Sequence, residues 1–141
     1  AGHQASCEPK DRWAMDWYYP ALSGAVDAVA GAERLRAGWE SFVMEDLGVR
    51  CVSDEPWITA SETAEASIAH AAVGDTDTAT RLLGWTRDHR LASGAYLTGL
   101  VHPERIVFPA DEHSSYTAAA VILAVDAIRG DSPASRLFRH D

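Results

Sequence analysis

The chain has 141 residues, of which 47% are hydrophobic and 23% charged, a composition that suits one globular domain and excludes a disordered tail. Its formal net charge of -9 argues against nucleic acid as a partner, because that affinity depends on Lys and Arg neutralising phosphates. No apolar run reaches the roughly 18 residues needed to span a membrane, and the amino terminus lacks the pattern of a signal peptide. We therefore expect a soluble, cytoplasmic protein.

The amino-terminal region carries no periodic pattern. Residues 1–12 are expected to form a loose arm or to be a remnant of expression, ahead of a helical domain over residues 13–138. Two cysteines, Cys7 and Cys51, are too few for a disulfide framework in a chain of this length, so both are expected to be thiols.

The first half of the chain predicts alternating buried and one-sided helices. Residues 12–30 carry small apolar residues on most faces, which predicts a buried helix that Gly31 ends. Residues 32–45 have large apolar residues at spacings of three and four, which is typical of a one-sided helix. Thr59 and Glu62 match a capping box at the start of a second buried helix over residues 60–73. Asp75 is expected to cap a second one-sided helix over residues 75–90.

A long loop rich in Gly and Pro then precedes a third buried helix over residues 115–128. Only residues 48–52 have β character. The prediction is an all-α fold of three inner and two outer helices that stack as repeats, and a plain helical bundle is the alternative. The residues predicted to lie in the core are Trp39, Phe42, Leu82, Leu83, Val121, Ile122 and Val125.

Three parts of the chain carry a resemblance to a known superfamily. They are Trp13-Ala-Met-Asp-Trp-Tyr-Tyr-Pro20, Pro56-Trp-Ile-Thr-Ala-Ser-Glu-Thr63, and Tyr96-Leu-Thr-Gly99 followed by Tyr116-Thr-Ala-Ala-Ala-Val-Ile-Leu-Ala124. These resemble actinobacterial prenyltransferase-like proteins, which are similar to the α/α toroids of terpenoid cyclases and protein prenyltransferases. The resemblance covers about residues 12–138. A full toroid has about six hairpins and this chain supplies about three, so the resemblance implies the C-terminal half of a longer protein.

The catalytic motifs of that superfamily are not matched. Terpenoid cyclases use Asp-x-Asp-Asp, whereas the segment from Asp75 to Ala79 lacks the adjacent second Asp and is explained by a helix cap. Protein prenyltransferases hold zinc with Asp-x-Cys, whereas Val49 precedes Cys51 at that spacing. A zinc site built from Cys51, Asp54, His102 and His113 is chemically conceivable, but no compact ligand pair supports it. No metal and no cofactor are predicted.

The residues ahead of the inner helices should emerge at one end of a toroid and form a shared mouth. The candidates for catalysis are Asp16, Glu62, Asp111, Glu112 and His113, and the candidates for ligand binding are Trp13, Trp17, Tyr18, Trp57, Tyr96, His102 and Tyr116. Of these, Trp17, Trp57, Tyr96, Asp111 and His113 are expected to share one cavity. Each also has a structural explanation: Glu62 as a capping partner, Asp16 as a partner of the helix dipole, and the aromatic residues as ordinary packing.

Three functions are compatible with such a mouth. Aromatic faces stabilise carbocations, so the main expectation is a prenyltransferase-like or cyclase-like domain that binds an isoprenoid ligand. Aromatic rings also stack on sugars, and paired carboxylates suit glycoside hydrolysis, so the alternative is a six-hairpin glycosidase-like domain acting on a carbohydrate. The third possibility is a non-catalytic helical binding module. A half-toroid would expose apolar surface along residues 16–30 or 115–128, which predicts a homodimer or a missing N-terminal half.

Overall fold

The structure, a computed structural model, describes residues 10–139 and contains five α-helices. They are α1 (Ala14–Leu22), α2 (Ala28–Phe42), α3 (Ala60–Ala72), α4 (Thr76–Trp85) and α5 (Ser115–Arg129). Two short 3-10 helices cover Thr86–His89 and Pro133–Arg136. Helix α3 is central, since it packs against α1, α4 and α5.

Five short strands form one antiparallel sheet. They are β1 (Val43–Met44), β2 (Gly48–Arg50), β3 (Trp57–Thr59), β4 (Gly99–Val101) and β5 (Ile106–Phe108), and they lie in the order β1-β2-β3-β4-β5. The predicted all-α class is therefore wrong: the fold is mixed α and β. Strands of two or three residues are too short to show alternation in the sequence, and α3 and α4 separate β3 from its partner β4.

Helices α1, α3 and α5 correspond to the three helices predicted as inner, and α2 and α4 to the two predicted as outer. Helices α1, α3 and α5 pack side by side, with α2 against α1 and α4 against α3. The strands lie in the connections that lead into α3 and α5. The sheet is therefore at the end of the molecule where these inner helices begin, which is also where the sequence predicts the mouth.

The boundaries of the first two helices differ from the prediction. Gly31 does not end a helix but lies within α2, and the break falls at residues 23–27, where Gly24 has a φ of 73°. Asp27 caps α2 by accepting a hydrogen bond from the N–H of Ala30 at 2.9 Å. A Cβ at Gly31 would lie 2.9 Å from a methyl carbon of Val73, so this glycine allows close packing of α2.

The predicted N-cap of α4 is confirmed, whereas the capping box predicted for α3 is wrong. Asp75 accepts a hydrogen bond from the N–H of Thr78 at 3.2 Å. The side chain of Thr59 makes no cap hydrogen bond, although Thr59 is the N-cap residue of α3. Glu62 instead accepts a hydrogen bond from the hydroxyl of Ser61 at 2.7 Å.

The predicted core is partly wrong. Phe42, Leu82 and Val121 are buried, and Trp39, Leu83 and Val125 are half-buried. Ile122, in contrast, is 67% exposed. The buried side of α5 consists of Thr117, Ala120, Val121, Ala124 and Ala127. Because α5 consists largely of small apolar residues, the sequence does not show which side of the helix is buried.

Part of the predicted arm is anchored. Residues 1–9, which include Cys7, lie outside the described residues, but Arg12 forms an ion pair with Asp54 at 3.0 Å. Across residues 10–139, no helix is long and apolar enough to cross a membrane.

Candidate active site

Two half-buried glutamates interrupt the buried surface of α3. All residues from Ala60 to His70 except Glu62 and Glu65 are buried, and these two glutamates reach partly to the surface. Residues three apart lie on the same side of a helix, so the two carboxylates project from one side of the first turns of α3. A charge in such a position needs hydrogen-bond partners or water.

Glu65 is held by two tyrosine hydroxyls. Tyr18 from α1 donates to Oε2 of Glu65, and Tyr116 from the start of α5 donates to Oε1. Glu65 therefore connects all three inner helices. Burial and the charge of Glu65 raise the pKa of both Tyr18 and Tyr116, so their hydroxyls remain protonated donors. Burial also raises the pKa of Tyr19, which interacts with Tyr116 and Glu65.

Glu62 and Glu112 each keep one carboxylate oxygen free. The hydroxyl of Ser61 donates to Oε2 of Glu62 at 2.7 Å, and the hydroxyl of Thr98 donates to Oε1 of Glu112 at 2.8 Å. Within residues 10–139, the second oxygen of each glutamate has no hydrogen-bond donor. The carbonyl of Thr98 accepts from the N–H of Ala60 at 3.1 Å, which anchors Glu112 at the start of the helix that bears Glu62.

Asp16 supplies a further carboxylate on the α1 side. It precedes Tyr19 by three residues, so both lie on the same side of α1. Its carbonyl accepts a hydrogen bond from Arg34 at 2.6 Å, while its carboxylate has no hydrogen-bond donor among the described residues.

Cys51 links Glu62 to one face of the sheet. Burial and the charge of Glu62 raise the pKa of the Cys51 thiol to about 11. The N–H of Cys51 donates to the carbonyl of Trp57 at 3.0 Å, which continues the pairing of β2 with β3. Residues opposite each other in such a pair point to the same face, so the side chains of Cys51 and Trp57 lie on the same face of the sheet.

This face carries an exposed group of apolar side chains, which we call the aromatic face and define as Trp57, Ile106 and Phe108. The rings of Trp57 and Phe108 are 5.7 Å apart between centroids. Trp57 is 37% exposed and Ile106 is 59% exposed. A Cβ at Gly99 would lie 2.5 Å from the Phe108 ring, so this glycine lets the ring lie across β4.

Several predicted residues lie elsewhere. Trp17 is buried, stacks on Phe42 at 5.3 Å and donates to the carbonyl of Arg34 at 3.1 Å. Tyr96 lines a groove of about 270 Å³ between α4 and α5. His102 is buried on the opposite face of the sheet. The structure thus separates Trp17 and Tyr96 from Trp57, and the single expected cavity is not formed.

The remaining predicted residues are exposed at the surface. Asp111 and His113 are exposed on the loop before α5, and Asp111 has a φ of 59°. Trp13 is 48% exposed and pairs with Val52, the residue after Cys51.

The zinc alternative finds no support in the geometry: no group of three or more His, Cys, Asp or Glu side chains within residues 10–139 could hold a metal ion.

Sequence reasoning missed Glu65 and Tyr19. A signal for Glu65 was present, because two glutamates three residues apart in a helix of small residues are unusual unless that side of the helix meets polar partners. No comparable signal marked Tyr19, since it belongs to the run Trp17-Tyr18-Tyr19, in which the first two rings are buried and hydrogen-bonded and the third is exposed.

Comparison with known proteins changes the functional expectation. No family model matches the chain. The chain is similar to the MMP endo-(1,4)-3-O-methyl-alpha-D-mannosidase of Mycolicibacterium hassiacum, with 40% identity over 139 residues. The similarity spans 99% of this chain but 38% of that protein, so the chain covers well under half of the relative's length. The expected resemblance to prenyltransferases and terpenoid cyclases is therefore wrong, and the isoprenoid function inferred from it gives way to the carbohydrate alternative.

Proposed function

We propose that this chain supplies catalytic carboxylates of a glycoside hydrolase that acts on α-(1,4)-linked mannose chains carrying 3-O-methyl groups. The substrate class is taken from the similar mannosidase, whose likeness extends over nearly the whole chain. The structural observation that carries the proposal is the pair Glu62 and Glu112, each with one oxygen held by a hydroxyl and the other free.

The two glutamates match the requirements of the reaction. Glycoside hydrolysis uses one carboxylic acid to protonate the leaving oxygen and one carboxylate to activate water or to attack the sugar. The hydroxyls of Ser61 and Thr98 fix the two carboxylates in place, and the free oxygens are available for proton exchange with the substrate. We assign Glu62 and Glu112 to these two roles.

Glu65 and Asp16 have different roles in this proposal. Both oxygens of Glu65 accept from tyrosine hydroxyls, so Glu65 positions the surrounding helices instead of exchanging protons. Asp16, whose carboxylate has no donor among residues 10–139, is assigned to binding sugar hydroxyls. The exposed rings of Trp13, Tyr19 and Tyr116 offer surfaces on which the apolar faces of sugar rings can stack.

The test is hydrolysis of an α-(1,4)-linked 3-O-methyl-mannose oligosaccharide by the purified chain, with products followed by mass spectrometry. The unmodified chain should release shorter oligosaccharides, and Glu62→Gln and Glu112→Gln should each lower kcat by about a hundredfold or more. The matched control is Glu40→Gln, which changes an exposed carboxylate on α2. Full activity in both site variants, or no cleavage by the unmodified chain, would overturn the proposal.

Assembly and location are further parts of the proposal. The exposed side chains of Ile122 and Leu123, beside a groove of about 450 Å³ along α5, support a homodimer formed through this helix. Sedimentation at micromolar concentration should give about twice the chain mass of 15.2 kDa, and the monomer mass would contradict it. A cytoplasmic location is proposed as well, and cell fractionation tests it.

A further inference from the structure

We infer that the groove between α2 and α4 is a binding site for a phosphate group, held by Arg36 and Arg81. The groove has a volume of about 200 Å³, and its polar and aromatic lining consists of Arg36, Trp39, His70, Asp75, Thr78 and Arg81. It lies apart from the candidate active site, because His70 follows Glu62 by eight residues, about 12 Å along α3. The site is therefore independent of the proposed hydrolysis.

Arg81 is held in place by two tryptophan rings. Its guanidinium carbon lies 5.4 Å from the centroid of the Trp39 ring and 5.6 Å from that of the Trp85 ring. A guanidinium packed against aromatic rings keeps the N–H groups at its edge available for hydrogen bonds. No carboxylate within residues 10–139 forms an ion pair with Arg81. Arg81 thus places a positioned and unneutralised charge at the groove.

Arg36 supplies a second charge from the facing helix. It precedes Trp39 by three residues, so both lie on the same side of α2. In the part of the chain that the structure describes, Arg36 forms no ion pair either. Asp75, the acidic residue of the lining, is already engaged: Oδ1 accepts from the N–H of Thr78 at 3.2 Å, and Oδ2 lies 3.0 Å from Nδ1 of His70. The groove therefore leaves both arginines without a carboxylate partner.

The charge of the groove favours a phosphate group over a carboxylate. Arginine binds the oxygens of either anion through paired N–H groups, so geometry alone does not separate them. A phosphate ester carries a charge of about -1.5 to -2 near neutral pH, which suits two guanidinium groups, whereas a carboxylate neutralises one. A phosphate bound here would also connect α2 with α4.

His70 provides a way to detect such binding. Its side chain is 7% exposed, its ring lies 5.6 Å from that of Trp39, and its Nε2 has no hydrogen-bond partner among the described residues. Burial lowers the pKa of His70, Asp75 acts in the opposite direction, and the charge of Arg81 lowers this pKa further. A phosphate on Arg81 would offset that charge, so the pKa of His70 should rise when the site is filled.

The experiment titrates the unmodified chain with inorganic phosphate at constant ionic strength and follows the ring signals of His70 by NMR. Binding should saturate at millimolar phosphate or below and raise the pKa of His70. Arg36→Gln and Arg81→Gln should each weaken phosphate binding by about tenfold or more, the loss expected for hydrogen bonds between charged groups. Circular dichroism checks that both variants are folded. The matched control, Arg87→Gln, removes an exposed arginine directly after α4 and should leave the affinity unchanged.

Two further probes define the ligand. Acetate, which carries a single charge, should bind about tenfold more weakly than phosphate, and equal affinities would overturn the assignment to phosphate. Methyl phosphate distinguishes the sources: affinity equal to or above that of the free ion identifies a phosphate ester as the ligand, and lower affinity identifies inorganic phosphate. A response that does not saturate, or that persists in both arginine variants, would overturn the inference. Hydrolysis by the unmodified chain is a separate measurement and tests the proposed function alone.

Discussion

The two faces of the small sheet differ in how completely the chain itself covers them. On the core face, Ile58 is fully buried, and the His89 ring nitrogen Nε2 lies 3.2 Å from the Ile58 carbonyl oxygen. On the aromatic face, the neighbouring Trp57 remains 37% exposed. One strand of three residues thus contributes both to the core and to a partly exposed surface. We expect substitutions on the core face to reduce stability more than those on the aromatic face.

The largest stability effect should come from Ile58→Ala. Removing a fully buried isoleucine leaves a cavity and is expected to lower the free energy of unfolding by about 2–5 kcal/mol. Trp57→Ala, at the adjacent position, should cost about half as much or less, because part of the ring is already in water. Urea denaturation followed by circular dichroism measures both values. Equal losses would show that the two faces do not differ in this way.

The next effect concerns the two glutamates of α3. Glu65→Gln leaves one acceptor oxygen for two tyrosine hydroxyls, of which that of Tyr18 belongs to a fully buried residue. We expect the free energy of unfolding to fall by about 1–3 kcal/mol. Glu62→Gln should change it by no more than about 0.5 kcal/mol. Denaturation of the two variants side by side tests this, and a larger loss for Glu62→Gln would reverse the assigned roles.

The core face should also make stability depend on pH. Burial lowers the pKa of His89 below its usual value, while the charges of Asp88, His102 and Arg105 act on it with mixed sign. Because the unfolded chain then binds a proton more readily, stability is fully present above about pH 6.5 and is lost as the pH falls below that value. The loss from one such histidine cannot exceed about 2 kcal/mol at pH 5.

In His89→Gln, the free energy of unfolding should fall less as the pH is lowered. The measurement is the free energy of unfolding at pH 8, 6.5 and 5. His70, whose pKa burial also lowers, would account for part of what remains. His113→Gln, which changes an exposed histidine, is the control and should leave the profile unchanged. An identical pH profile in His89→Gln and the unmodified chain would contradict the prediction.

The smallest effect should be seen at Cys51. Since the charge of Glu62 helps to raise the pKa of this thiol, Glu62→Gln should lower it and speed alkylation by iodoacetamide at pH 8 about two- to fivefold. A Cys7→Ser background keeps the other thiol out of the measurement. Glu40→Gln serves again as the control. Equal alkylation rates in the two variants would contradict an effect of the Glu62 charge on the Cys51 thiol.

The helices could be predicted more fully than the sheet. Helix α3 was expected at residues 60–73 and lies at Ala60–Ala72, and α5 was expected at 115–128 and lies at Ser115–Arg129. Both are long runs of small apolar residues, a strong local signal. The β4–β5 hairpin falls within the predicted loop, because its strands are three residues each and are stabilised by pairing with β3, a contact between distant parts of the chain.

The candidate site, too, could be predicted only in part, because contacts between distant parts of the chain decide which residues it contains. The predicted mouth included Tyr18 and Tyr116, and the structure joins these two tyrosines through Glu65. The role of Glu65 could not be predicted, because it depends on donors from two other helices. Trp17 and Tyr96 were assigned to the mouth by residue type, whereas packing directs one into the core and the other to a groove on α5.

The hydrogen bonds of Glu65 also have a consequence for how the molecule folds. Tyr18 precedes Glu65 by 47 residues, and Tyr116 follows it by 51. Closing such long loops is slow compared with forming single helices. During refolding from denaturant, helical circular dichroism should therefore recover before the arrangement of acids and tyrosines does, and a chain that lacks α5 would keep helices without ever completing that arrangement.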